Sequence, residues 1–385
     1  MTDLSEFESI RPYTDEETVE ALARVARHPM IPAISKYLFP KQPANTLSKA
    51  ISRVHSVDEF QRLVMQDVVT GVIARTSEGF TVSGIENLAA VKGRKFLAVS
   101  NHRDIVLDPA LICSTFLENG INELELCVGS NLLKGQLIED LMRSNRMIKV
   151  IRGISARQLY LSSQILSKYI RTTITEGRAC VWVAQREGRT KNGLDTTEQG
   201  LLKMFDMSGE GTFTENFEQI GIVPLSISYE YEPCDSRKAR ELYIKQTTGE
   251  YVKRRNEDTH SILTGIRQQK GHIHLAIGRP LTHDEIEEAS HHTGNDRYQA
   301  IRQLLNDRIN SGYRLWKTNY MAYDLMNGRT DFLGIKYLPE DLENFGKYIN
   351  HKLGKLERRL DRETVRDIFL HIYGNPVSVA LQKSE

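Results

Sequence analysis

Between about residue 79 and residue 282 the chain alternates short apolar runs with stretches of helical period, and this alternation restricts the fold more than any other feature. The strand-like runs span 80–83, 95–100, 125–128, 179–185, 221–230 and 272–278. Helical stretches fall between them, notably 109–117, 137–144 and 156–176. The pattern predicts an α/β domain over 79–282, with helices on the faces of a sheet. Pro224, inside the fifth run, predicts an edge or a bulge, because proline brings no N–H to a ladder. Residues 1–78 read as an N-terminal helical segment. Thr14-Asp15-Glu16-Glu17 starts a helix, Pro29 and Pro32 interrupt it, and Phe60, Val64, Val68 and Val72 recur at four-residue steps. After residue 282 the strand pattern stops, and 283–385 read as a C-terminal helical region.

Charge balance removes some functions. With 51 basic and 50 acidic side chains the chain is not globally basic like a nucleic-acid binder, so any anion binding must come from local clusters. Cys113, Cys127, Cys180 and Cys234 are widely spaced, with neither zinc-ligand nor redox spacing, and fit a reducing cytoplasm. The polar N-terminus has no signal-peptide pattern, and no apolar run approaches the ~18 residues that span a bilayer. A lipid substrate would therefore have to be met at the membrane surface, from the cytoplasmic side.

Two loops carry chemistry. The first follows the apolar run 96–99 and reads Ser100-Asn101-His102-Arg103-Asp104-Ile105-Val106-Leu107-Asp108-Pro109. An imidazole at a strand end, with a carboxylate to hold its tautomer, is a way to build a general base. A lone histidine there is more often structural, but the crowding of Asn101, Arg103 and Asp104 argues for a site. Asp108 before Pro109 also suits a helix start, and Asp104 competes for His102 by proximity. In one regular helix His102 and Asp108 would be ~9 Å apart along the axis. A direct bond therefore needs residues 103–107 to be at least partly non-helical.

The second loop follows 180–184 and reads Gln185-Arg186-Glu187-Gly188-Arg189-Thr190-Lys191-Asn192-Gly193. It is either a solvated turn or a phosphate cradle. Arg186, Arg189 and Lys191 concentrate cations beside Gly188 and Gly193, whose backbone amides can approach an anion. Arginine adds a planar fork for phosphate, and Glu187 can position it. Arg152, before Gly153, and Val223-Pro224 are two weaker fragments.

In order, these fragments resemble the four sequence blocks of the glycerolipid acyltransferase family, which includes glycerol-3-phosphate and 1-acyl-sn-glycerol-3-phosphate acyltransferases. The blocks are His102 with Asp108, Arg152, Glu187-Gly188-Arg189, and Val223-Pro224. The fuller stretches look like a bacterial subgroup. There is one departure: five residues separate His102 from Asp108, where the family has four. The resemblance implies a mixed α/β sheet and transfer of a fatty acyl group from acyl-CoA or acyl carrier protein to a hydroxyl of glycerol phosphate or a lysophospholipid. His102 would be the base and Asp108 its orienting partner. Arg152, Glu187, Gly188 and Arg189 would bind the acceptor phosphate, with Asn101, Asp104, Arg186 and Lys191 in support. Neither a metal nor a cofactor is implied.

Two other readings compete: an O-acyltransferase for a non-phosphate lyso-aminolipid, and a catalytically silent lipid-binding scaffold. For membrane contact, 342–360 carries Leu342, Phe345, Ile349, Leu353, Leu356 and Leu360 on one stripe among basic residues. Such a helix either lies on an anionic bilayer or, more commonly, packs its stripe on the core. Residues 31–39 are a second candidate contact.

Overall fold

The computed structural model describes residues 4–382. Its strands are β1 (Gly79–Ser83), β2 (Leu97–Ser100), β3 (Leu124–Gly129), β4 (Met147–Val150), β5 (Cys180–Ala184), β6 (Ile222–Tyr229) and β7 (His272–Ile277). They form one mixed sheet in the order β1-β7-β6-β2-β5-β3-β4. Every pair is parallel except β6–β7. The C-terminal ends of β2 to β6 therefore share one edge, and the loops after β2, β4, β5 and β6 gather there. Edges of this kind are where open α/β sheets bind ligands.

The central strands are covered on both faces and so read as unbroken apolar runs. Along β2, Ala98 faces one core while Leu97 and Val99 face the other. The first core takes Leu22, Val25, Phe60 and Val64 from the N-terminal helices, with Leu111 and Phe116 from the helix Leu107–Glu118. The second takes Ile170 and Ile174 from the helix Ala156–Thr175, and Ile301 and Leu305 from Asp296–Gly312. A third cluster joins the C-terminal helices to Ala239 of the helix Asp235–Thr248.

Several expectations need correction. β4 was absent from the predicted strands; it has only four residues, one of them Lys149, on the outermost position of the sheet. Pro224 lies in a central strand, paired with Val99, not at an edge or a bulge. The carbonyls of Ile222 and Pro224 turn away from β2, toward the amides of Leu281 and Gly278. The missing N–H faces the same side, just past the end of the β6–β7 ladder at Leu225 and Ile277. Pro32 starts the helix Ile31–Leu38 instead of only breaking one, as suits proline in a first turn.

Neither predicted membrane contact is free. In the helix Pro339–Gly354 the stripe residues Phe345, Ile349 and Leu353 are buried in the third cluster, and Lys352 pairs with Asp235 at 2.9 Å. Ile31 and Leu38 are buried in the first core. No helix among the described residues is long and apolar enough to cross a membrane.

Glu125 of β3 is buried under the helix Ala156–Thr175, where it accepts a hydrogen bond from the Tyr169 hydroxyl at 2.8 Å. Burial pushes its carboxyl up to about 7. Between the unfolded and folded values the native state holds more protons than the unfolded chain, so stability falls as pH rises through that window. Glu125→Gln is expected to be more stable than the parent at pH 8, by on the order of 2–3 kcal/mol. The gain should shrink toward zero near pH 4.5, read from urea denaturation at both pH values; an equal difference at both would refute the buried-carboxylate account.

Candidate active site

β2 delivers Asn101 and His102 to the loaded edge of the sheet. Asn101 is fully buried and takes over the ladder between β2 and β6: its side-chain oxygen accepts from the Ile227 amide at 2.8 Å and its Nδ2 donates to the Ile227 carbonyl at 2.9 Å. It thereby fixes the point where the chain leaves the sheet. His102 follows with its ring edge-on to Trp182, centroids 5.9 Å apart.

The residues after His102 are not helical until Leu107. Asp104 makes this turn, accepting from the amides of Val106 at 2.9 Å and Leu107 at 2.8 Å, and so starts the following helix. Asp108, in the first turn of that helix, points back. Its Oδ2 accepts from His102 Nδ1 at 2.8 Å and from the amides of Arg103 at 2.5 Å and Asp104 at 2.8 Å; its Oδ1 accepts from the Tyr229 hydroxyl at 2.6 Å. With Nδ1 donating to an acceptor-only carboxylate, Nε2 is left as the basic nitrogen of the ring. The ring keeps 14% exposure while Asp108 keeps none. Burial beside Asp108 holds the Tyr229 hydroxyl well above its usual range, so it stays a donor.

Beneath this pair lies a buried charge network that sequence reasoning missed. Arg103 is fully buried and donates to Asp195 at 2.6 Å; it also meets Glu232 at 3.3 Å. Lys238 pairs with Glu232 at 2.5 Å and donates to the Arg103 carbonyl at 2.8 Å. The guanidinium lies over the Tyr313 ring, 4.9 Å from its centroid. Its acids come from elsewhere in the chain, and only their burial marks them.

The loop after β5 runs beside the His102 turn. The Gln185 amide donates to the Ser100 carbonyl, and the Thr190 amide to the His102 carbonyl, both at 2.7 Å. Thr190 also donates its hydroxyl to Asp195 at 2.6 Å. Arg152, arriving after β4, forms an ion pair with Glu187. Arg189 and Arg186 are half-buried, and Arg189 Nη1 and Arg186 Nε are buried atoms without a hydrogen-bond partner. Gly188 takes a left-handed φ of 69° with open space where a Cβ would stand. Lys191 and Gly193 turn away: Lys191 is paired with Glu241, and a Cβ on Gly193 would strike the Ile372 carbonyl of the C-terminal helix. Of the basic residues and glycines expected to form an anion cradle, this leaves Arg152, Arg186, Gly188 and Arg189 outside those two contacts.

Other chemistries find little here. Burial pushes all four thiols up, Cys113 and Cys180 to about 11, so none is a ready nucleophile. Glu78, Glu230 and His272 have metal-ligand spacing but sit around the start of β7, two strands from β2. A groove of about 1140 Å³ opens at the opposite edge of the sheet, lined by Lys95, Phe96, Gly177 and Cys180, and contains none of the residues around His102.

Residues 79–228 match a family model described as Acyltransferase. No curated protein matches the chain.

The two aspartates are separable. Asparagine at 104 still accepts from the Val106 and Leu107 amides, so Asp104→Asn should change acyl-transfer turnover little. Asp108→Asn puts an NH₂ where donors converge and should lower turnover about 10²-fold or more; the reverse order would move the orienting role to Asp104. For the network, Arg103→Leu leaves two carboxylates buried and should cost about 3–5 kcal/mol in urea denaturation. A loss below about 1 kcal/mol would show that Arg103 is not their counter-charge.

Proposed function

Since residues 79–228 belong to the glycerolipid acyltransferase family, we propose that the chain moves a fatty acyl group from acyl-CoA or acyl carrier protein to a hydroxyl of a glycerol phosphate or lysophospholipid. The setting would be phospholipid synthesis at the inner face of the cytoplasmic membrane. The reading rests on one observation: a strand-end imidazole held by a buried carboxylate, next to a loop that carries Arg186 and Arg189.

In this mechanism His102 Nε2 takes the proton of the acceptor hydroxyl. The oxygen attacks the thioester carbonyl, forming the C–O bond through a tetrahedral intermediate. The C–S bond then breaks, and the imidazolium returns the proton to the leaving thiolate. Asp108 fixes the ring and stabilises the imidazolium, with the Arg103 and Asp104 amides and Tyr229 holding Asp108 in turn. Arg189, Arg186 and the Gly188 amide would receive the acceptor's phosphate, with Arg152 joining if Glu187 yields. That Arg152 already holds an anion is the one observation favouring the non-phosphate acceptor.

A panel of glycerol-3-phosphate, lysophosphatidate and lyso-aminolipids, each with long-chain acyl-CoA or acyl carrier protein, separates these readings. His102→Ala should lower turnover on the preferred acceptor by about 10²–10⁴-fold in a folded protein; near-normal turnover would remove the base from the mechanism. Arg189→Ala should raise KM for a phosphorylated acceptor more than for the thioester, and lysine should substitute poorly because it lacks the planar fork. If only the donor constant rises, the loop instead holds the phosphates of CoA.

A further inference from the structure

The helix Ala156–Thr175 begins four residues after Arg152, at the same edge of the sheet as His102. Its first six residues, 156–161, are all exposed, and Leu166 is the first buried one. Nearly two turns of helix therefore stand clear of the protein. The projecting end is a finished structure: the Ser155 hydroxyl accepts from the Gln158 amide, and Gln158 Oε1 accepts from the Ser155 amide at 3.1 Å.

This end carries Leu159, Tyr160 and Leu161 at 51%, 56% and 49% exposure. Three consecutive helical positions fan over about 200°. That is wider than the single stripe a protein groove covers, and it suits a medium that is apolar on all sides. Val252, at 75% exposure, tips a second loop. The two regions are tied along one edge: the Ser130 hydroxyl accepts from the Arg152 amide at 3.1 Å, and Asn131 donates to Asp258 at 3.2 Å.

The charge at the helix end is positive, and that around Val252 is mixed. From residue 141 to residue 175 the chain has no Asp or Glu, and it carries exposed Arg157 within the apolar end; Arg152 nearby is paired with Glu187. Beside Val252 stand Lys253, Arg254 and Arg255, all exposed; Lys253 pairs with Asp258 at 2.7 Å and Arg254 with Glu357 at 3.1 Å, and Glu250 lies next to them. Exposed apolar side chains with Arg157 among them, on a helix without an acidic residue, complement an anionic bilayer.

We propose that Leu159, Tyr160 and Leu161, with Arg157 among them and Val252 alongside, form the surface by which this protein docks on an anionic lipid bilayer. The purpose assigned to it rests on the acyl-transfer reading: docking here turns the His102 edge toward lipid, so a lysophospholipid could reach the imidazole without leaving the membrane. The binding itself does not depend on the reaction.

The test uses the full chain, vesicles of phosphatidylethanolamine with phosphatidylglycerol, and vesicles of phosphatidylcholine. The parent should pellet with the anionic vesicles and much less with the neutral ones. Leu159→Ser/Tyr160→Ser/Leu161→Ser, whose side chains touch no core, should lower partition onto anionic vesicles at least about 10-fold. Its turnover on a short-chain acceptor dissolved as monomer should stay unchanged, and its turnover on a vesicle-borne acceptor should fall. A parent that does not pellet, or a triple variant that pellets like it, overturns the proposal. So does a triple variant that loses only turnover with acyl carrier protein, or only self-association, since the patch would then serve a protein. If the variant loses vesicle binding while no acceptor is acylated by the parent, the docking surface stands and the reaction assignment fails.

Discussion

The site depends on the Asp108 carboxylate. Four donors converge on its two oxygens, from the His102 ring, two successive backbone amides and the Tyr229 hydroxyl. The group is fully buried, so losing any one donor would leave a polar atom without water to replace it. The bonds tie the turn after β2, the first turn of a helix and the last residue of β6 to one point. They also explain how five intervening residues fit. Asp104 holds residues 104–107 in a tight turn, so the backbone folds around Asp108 and two of its amides become ligands of that carboxylate.

A second layer keeps this arrangement in place. Arg103, Asp195, Glu232 and Lys238 balance two positive charges with two negative ones. Such a network contributes little net stability, yet removing one member is costly. Its members come from the turn after β2, the loop after β5, the loop after β6 and the helix Asp235–Thr248, which therefore cannot shift independently. The C-terminal region enters through Tyr313 over Arg103, and through Tyr373, whose hydroxyl accepts from the Glu232 amide at 3.0 Å and donates to Asp235 at 2.9 Å. The last hundred residues thus brace the loops of the site from behind.

This layering decides what the sequence makes legible. β2, β5 and β6 are readable because both faces are covered and their residues are apolar without interruption. β4 is not, since an outer strand of four residues with a lysine leaves no pattern. His102 and Asp108 are readable because they are near in sequence and belong to an ordered set of motifs. Arg103 stands in plain view between them, but its partners lie 92 and 129 residues away, and no local signal connects them. The same limit affects the loop after β5. Its composition presents Lys191 and Gly193 as parts of a cradle; Glu241 and the Ile372 carbonyl, far off in sequence, claim them. Likewise the periodicity of residues 339–354 specifies an apolar face, while only the packing of Phe345, Ile349 and Leu353 shows that protein covers it.

The ion pair between Arg152 and Glu187 bears on selectivity in the acyl-transfer reading. Glu187 is 71% exposed on its side chain and Arg152 28%, so the pair sits at the mouth, not in the network beneath. An exposed pair of this kind is held by a small free energy, of order 0–1 kcal/mol. A phosphate dianion brings more charge and more acceptor oxygens than one carboxylate, and can displace Glu187 from the guanidinium. A neutral hydroxyl acceptor cannot. In that reading Arg189 would give the phosphate one hold, and Arg152 would add a second only for a ligand strong enough to take it from Glu187. The loop after β5 would then discriminate between acceptors by competition within the protein, with Glu187 setting the threshold.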